Sequence, residues 1–157
     1  MALFLTIPDI PGESKDKDHP DAIDLLNFQW GLTNVSSAQI RKTGRPSFSD
    51  LRVRKELDRS TPKLALAAAT GKRLSEVVLD QTASFTDAGR VTFLSIKLWN
   101  AVVTEVSEES DAPEEPPSDV IAFEFPKIEM VYTLYDSKGK KAGTERFAWD
   151  LVKGETF

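Results

Sequence analysis

In stretch after stretch of this chain, apolar residues recur at every second position, and a two-residue period admits strands and excludes helices. Leu51, Val53 and Leu57 alternate with Arg52, Arg54 and Glu56, which gives a strand with one buried and one charged face. Val77, Leu79, Ala83 and Phe85 form the next strand, and Thr86-Asp87-Ala88-Gly89 reads as a hairpin turn into Val91 to Val106, where Leu94, Ile96, Leu98 and Val102 share a face. Ile121, Phe123 and Phe125 hold one phase of the following ribbon and Ile128, Met130, Tyr132 and Leu134 the other, with Pro126 at the changeover. Proline cannot donate to a ladder, so a bulge or an edge is expected there. Asp136 to Lys140 turns the chain into a last strand, where Phe147, Trp149 and Leu151 alternate with polar or small residues. Nearer the N-terminus Ile23 and Leu25 oppose the phase of Leu26, Phe28, Trp30 and Leu32. That strand must swap faces near Leu25-Leu26, most simply through a β-bulge.

A single segment reads as helix, Pro62 to Thr70, with Thr61 as N-cap, Pro62 at the first position and Gly71 free to take the left-handed C-cap. Its middle, Leu64 to Ala69, is apolar almost all round and calls for cover on more than one side. In a ring, a neighbouring copy could supply it. The residues thus predict a mainly β fold, a barrel or sandwich, in one domain spanning 1–157.

The composition bounds what such a domain can do. At 157 residues it buries about 68–70% of its unfolded surface, enough for one core without staples. A net charge of -5 argues against general binding to nucleic acid or anionic membrane. No cysteine is present, so neither disulfides nor thiol chemistry enter. The apolar Met1 to Ile7 stretch lacks a basic flank and is cut off by Pro8-Asp9, too early for a signal peptide or a membrane helix. Conventional export is not indicated.

Two loops stand out. Asn34 to Ser47 is longer than the roughly 4–6 residues that usually join elements, and it carries Arg41, Lys42 and Arg45. Glu105 to Asp119 holds seven acidic residues, three prolines and no basic residue, a composition read as a mobile, solvated excursion between two strands.

Catalytic motifs are sparse. His19 is the sole histidine, so a Ser-His-Asp arrangement would have to use it, yet it lies in the charged loop Asp16 to Asp21 with no oxyanion-hole motif nearby. An EF-hand count from Asp16 places Pro20, Asp21 and Asn27 where the third ligand, the glycine and the bidentate glutamate belong. Gly71-Lys72 lacks the first glycine and the hydroxyl of a phosphate loop, because Leu66 and Arg73 occupy those places. Phe28, Trp30 and Trp149 continue the apolar phases of their strands and read as core; Trp99 alone breaks its phase. A monomeric β-barrel binding module, holding a small ligand or carbohydrate at an exposed Trp99 or at the Asp16–Asp21 loop, is the rival to an assembling protein. A hydrolase built on His19 is a third reading.

Two linked signatures decide between them. Gly44-Arg45-Pro46-Ser47-Phe48-Ser49-Asp50-Leu51 is followed by Ser60-Thr61-Pro62-Lys63-Leu64 and Ala69-Thr70-Gly71-Lys72. Ile7-Pro8, Gly12-Glu13-Ser14, Ile23-Asp24, Trp30-Gly31, Lys127-Ile128-Glu129 and Trp149-Asp150 add to them. In this order they resemble the haemolysin-coregulated proteins (Hcp), the tube proteins of type VI secretion, from Phe4 to Asp150.

The resemblance implies a β-barrel of two antiparallel sheets with one short flanking helix, about 62–70, and a long protruding loop, about 34–47. It implies a non-enzymatic subunit whose six copies close into a ring, with rings stacking into a tube that a contractile sheath drives out of a bacterium. The implied partners are further copies of itself, a tube-tip spike protein, sheath and baseplate components and secreted effectors, with no nucleic acid, no membrane insertion and no cofactor. The chain would wait in the cytoplasm and then reach the outside or a target cell. In the family the residue between the two aromatics of a Trp-Ser-Trp-Gly strand faces the lumen; here Phe28-Gln29-Trp30-Gly31 makes Gln29 the lumen and effector-binding candidate. The family's long loop reaches a neighbouring subunit, which makes Gln39, Ile40, Arg41, Lys42 and Arg45 the subunit-contact candidates. On charge alone, Glu108, Glu109, Asp111, Glu114 and Glu115 are stacking-face candidates, with the Arg41–Arg45 run on an opposite face or a neighbouring subunit.

Overall fold

Three neighbouring strands of this protein exchange their buried face at one place in the sheet, and that exchange shapes the whole fold. The structure, a computed structural model, describes residues 1–34, 46–85 and 89–157. In chain order the elements are β1 (Ala2–Thr6), β2 (Ile23–Leu25), β3 (Asn27–Gln29), β4 (Leu32–Asn34), β5 (Pro46–Phe48), β6 (Leu51–Glu56), α1 (Ser60–Thr70), β7 (Arg73–Phe85), β8 (Gly89–Glu109), β9 (Ser118–Glu124), β10 (Lys127–Tyr135) and β11 (Lys141–Asp150). One antiparallel sheet follows the path β2-β1-β7-β8-β9-β6-β3, with β10 also on β8 and β11 beyond it; β4 and β5 form a second, two-stranded sheet. Among the described residues the architecture is mainly β with one short helix, as the alternation predicts.

β7 buries Leu74 and then Val77 and Leu79, while β8 buries Ile96 and Leu98 and then Ala101 and Val103. Val102 therefore does not share the face of Leu98, as strict alternation had it. The change falls at Asn100, whose φ of 52° is left-handed and rotates the strand so that the next apolar side chain still points inward. Facing it is the Pro126 changeover. Lys127 pairs with Trp99 and Glu124 with Val102, so no residue is gained or lost and the expected bulge is absent. The ladder instead skips the proline, whose carbonyl accepts Leu151 N–H at 2.8 Å. Asparagine tolerates this conformation and β-branched residues do not. Asn100→Val should therefore cost about 1–2 kcal/mol in urea unfolding and Asn100→Gly much less; equal costs would contradict the account.

The swap at Leu25-Leu26 is also not a bulge. β2 pairs with β1 and β3 with β6, so the strand changes partner at Leu26, whose side chain turns outward and whose N–H donates to Arg54 O at 2.7 Å. The two ends of the sheet path are thus successive pieces of one segment, yet no ladder joins them. The expected barrel is open in hydrogen-bonding terms.

The core gathers Leu5, Ile23, Leu79, Ile96, Leu98, Phe123 and Ile128 with Leu64 of the helix. α1 begins two residues before the expected start. Ser60 N–H reaches Asp58 Oδ1 at 2.9 Å, while Thr61, predicted as the N-cap, is buried and donates to Asp119 Oδ2 at 2.6 Å. Gly71 takes the left-handed C-cap at φ 65° as predicted, with Gly71 and Lys72 N–H groups closing onto Ala68 and Ala67 carbonyls. Cover on several sides is not found among the described residues. Leu64 and Ala67 are buried, but Pro62, Ala65, Leu66 and Ala69 form an exposed stripe, with Leu66 at 64%.

Candidate functional site

The strand pairing places the functional candidates on different surfaces. Gln29 is exposed on β3. It pairs with Arg52 of β6, Arg52 with Ala122 of β9, and Ala122 with Glu105 of β8, so these four form one row across the outer face. Arg52 and Glu105 meet over the small Ala122 in a two-pronged ion pair of 2.7 and 3.2 Å, and Ser107 Oγ adds a bond to Glu105 at 2.9 Å. Ala122 is buried beneath that bridge. The Arg52 hydrogen bonds, then that of Ser107, hold the Glu105 carboxyl below the usual range, and Glu105 raises Arg52 in turn. Gln29 thus stands beside a wall whose charges are already matched.

The acidic candidates lie at the far end of the same ribbon. Glu108 and Glu109 belong to β8, Asp111, Glu114 and Glu115 to the connection before β9, and all five are exposed. The excursion expected from Glu105 to Asp119 is shorter than its composition implies, since the β8–β9 ladder holds both of its ends through Glu109 and Ser118. Of the subunit-contact candidates, Gln39, Ile40, Arg41, Lys42 and Arg45 lie outside the described residues. Their flanks, Asn34 and Pro46, pair in the β4–β5 sheet.

His19 is no free base. Its ring stacks on Phe4 at 4.3 Å, with Nδ1 3.0 Å from Asp16 Oδ2 and Nε2 3.1 Å from Asp80 Oδ2. Both nitrogens have carboxylate partners, so neither is hydrogen-bonded to a hydroxyl nucleophile. Asp16 also accepts from the Asp18 and His19 N–H groups and pairs with Arg90. The His19 hydrogen bond outweighs desolvation and holds the Asp16 carboxyl below its ordinary range, with Asp18 N–H and Arg90 adding to it. Any stability from this lowered group is present at neutral pH and lost as pH falls through its folded value. The cluster fastens the segment between β1 and β2 to β7 and β8.

Trp99 does not form an open platform. Phe157 meets it edge-on at 5.5 Å, and Lys97 and Lys127 lie over its ring at 4.9 and 5.3 Å. An open groove of about 840 Å³ lies elsewhere, between the β4–β5 sheet and β11, where Phe48, Phe147, Trp149 and Leu151 line it. Trp30 and Trp149 pack against the core as expected, and Trp30 stacks on Phe48 and Phe147.

The sequence reading missed a buried charge network. Lys55 is fully buried, and its ammonium donates to Asp119 Oδ2 at 2.7 Å, Thr61 Oγ1 at 2.8 Å and Asp58 Oδ1 at 2.9 Å. Asp119 is equally buried, and its other oxygen has no hydrogen-bond partner among the described residues. The signal was visible, for Lys55 continues the inward phase of Leu51 and Val53, whereas Leu57, which the alternation placed on the same face, lies beyond the end of β6 and is exposed.

Comparison with known proteins bears on this whole arrangement. The family model described as "Type VI secretion system effector, Hcp" matches residues 4–132. The chain is similar to Protein hcp1 of Pseudomonas aeruginosa, at 29% identity over 95% of this chain and 94% of that protein. Among solved structures, one described as a type six secretion system protein has a TM-score of 0.90 at 25% identity over 99% of both chains. Hcp1 from Salmonella typhimurium has a TM-score of 0.79 at 22% identity, also over 99% of both chains.

Proposed function

Because this chain belongs to the Hcp family of type VI secretion systems, we propose that it is the structural and transport subunit of the secretion tube, with a mechanical task and no catalytic one. Six copies close into a ring, rings stack into a tube, and a contractile sheath expels the tube together with its spike and any effectors held in the lumen. The observation that carries this reading is the extent of the match, which runs from β1 into β10. The exposed apolar stripe of α1 supports it, since an uncovered Leu66 is best explained by a surface that another copy covers.

Gln29 faces the lumen in this reading, beside the self-neutralised Arg52–Glu105 pair. Such a wall offers cargo hydrogen bonds without a net charge and so favours release. The 35–45 segment supplies subunit contacts through Gln39, Ile40, Arg41, Lys42 and Arg45, and the acidic run serves contacts between copies. The protein acts from the cytoplasm and is recovered outside after firing. Among the described residues no helix is long and apolar enough to cross a membrane. The test is recovery of the chain from culture medium of its own bacterium with the sheath gene intact or deleted. Release that depends on the sheath is expected, and equal release without it would contradict the reading.

A further inference from the structure

Charge along this chain is strongly segregated. Between Lys97 and Lys127 no basic residue occurs, while Glu105, Glu108, Glu109, Asp111, Glu114, Glu115, Asp119 and Glu124 all fall in that interval. Of the exposed run, only Glu109 has an ion-pair partner among the described residues, a 3.7 Å contact to Arg54. Its other members are exposed and have no ion-pair partner among the described residues.

The two lysines that bound the interval converge with Arg146 on a pair of aromatic rings. Lys127 lies directly across the ladder from Trp99, with its ammonium 5.3 Å from the Trp99 ring and 4.2 Å from Phe157. Lys97 sits 4.9 Å over Trp99 and Arg146 5.3 Å over Phe157. Arg146 and Lys97 have carboxylate partners, Glu129 at 2.6 Å and Glu76 at 3.6 Å, whereas Lys127 has none among the described residues. A ring face holds a cation in place without neutralising it. The patch is therefore positioned and apolar at its centre, with Lys127 as its one cation that has no carboxylate partner among the described residues, a place that takes a carboxylate.

We propose that this Trp99-centred patch is the docking surface for the acidic run, Glu108 to Glu115, of a second copy of the chain. The two cannot meet within one copy. β8 continues some ten residues past Trp99 before the run begins, which at about 3.3 Å per residue carries it roughly 30 Å away, and the β8–β9 ladder holds it there. Complementary surfaces at opposite ends of one ribbon make a head-to-tail contact, the kind that closes rings or extends stacks. This assignment rests on the assembling-subunit reading and replaces the Arg41–Arg45 run as the partner of the acidic residues.

The test mixes isotopically labelled and unlabelled protein, joins contacting amines and carboxylates with a zero-length carbodiimide at low salt, and maps the linked peptides. Links between labelled and unlabelled copies should join Lys97 or Lys127 to the 108–115 peptide and fade as salt rises. The Lys97→Glu/Lys127→Glu variant, checked for native circular dichroism, should weaken association at least about tenfold, and adding Glu114→Lys/Glu115→Lys should restore it. Links from the acidic run to Lys42, or unchanged association of the double variant, would overturn the docking proposal while leaving particles of six intact. A chain that stays monomeric at every salt concentration would overturn the tube reading as well.

Discussion

Lys55→Met should destabilise this protein by about 3–5 kcal/mol, because it removes the cation that, among the described residues, compensates Asp58 and the buried Asp119. The ammonium it deletes contacts Asp119 Oδ2, Thr61 Oγ1 and Asp58 Oδ1, and Asp119 is wholly buried. An uncompensated buried charge is the expensive outcome; an apolar replacement of the whole pair is not. Lys55→Met/Asp119→Leu should therefore recover most of the loss, and Asp119→Leu alone should also be costly. At about 2–4 °C per kcal/mol for a domain this size, the single change lowers Tm by roughly 10 °C. Urea unfolding of the three variants and the parent forms a double-mutant cycle. A Lys55→Met cost below about 1 kcal/mol would show that the network is not dry and would remove its structural role.

Gly12→Ala is the second large effect, and its sign opposes the usual one. Replacing glycine by alanine often stabilises by about 0.4–1 kcal/mol through the unfolded chain. Here a Cβ would lie 2.5 Å from both Ala22 O and Ile23 Cα, backbone atoms that cannot swing aside. Gly12 N–H also donates to Asp21 O at 2.8 Å, and Ser14 N–H to Ala22 O at 3.0 Å. Relief of the clash must separate these two segments, and overpacking of that kind costs about 1–3 kcal/mol. A net loss near 2 kcal/mol is expected, with faster hydrogen exchange at residues 12–22. A Gly12→Ala protein as stable as its parent would mean that the two segments are not packed so closely.

Much of this was legible in the residues because an apolar period of two is a local signal that burial enforces. The strands at Leu51, Val77 and Ile121 follow it, and Gly71 caps its helix where a residue without a Cβ was required. What could not be read is what depends on pairing. The face exchange at Leu26 comes from a change of partner strand, and the one at Asn100 and Pro126 from three neighbouring strands turning together. Neither is encoded within a single strand, and bulges were the simplest local substitute. Lys55 was legible by position but not by chemistry, since only Asp119, brought from across the chain, makes an inward lysine tolerable. Thr61 was drawn into the same network and so could not act as the cap. For the candidate site, the exposure of Gln29 follows from strand phase, but its Arg52–Glu105 neighbours follow only from the register of four strands. Trp99 breaks its phase for a reason that the sequence hides, since Phe157 and Lys127 reach it from segments far along the chain, and only Lys97 is a neighbour on its own strand.

The most direct test of the account is the particle mass of the purified full chain, measured by light scattering coupled to gel filtration at low and moderate salt. A mass of six subunits, or of whole multiples of six, is the predicted result for a tube ring. A stable monomer at both salt concentrations would contradict it, and would leave the uncovered Leu66 stripe and the unmatched acidic run without the neighbour that explains them.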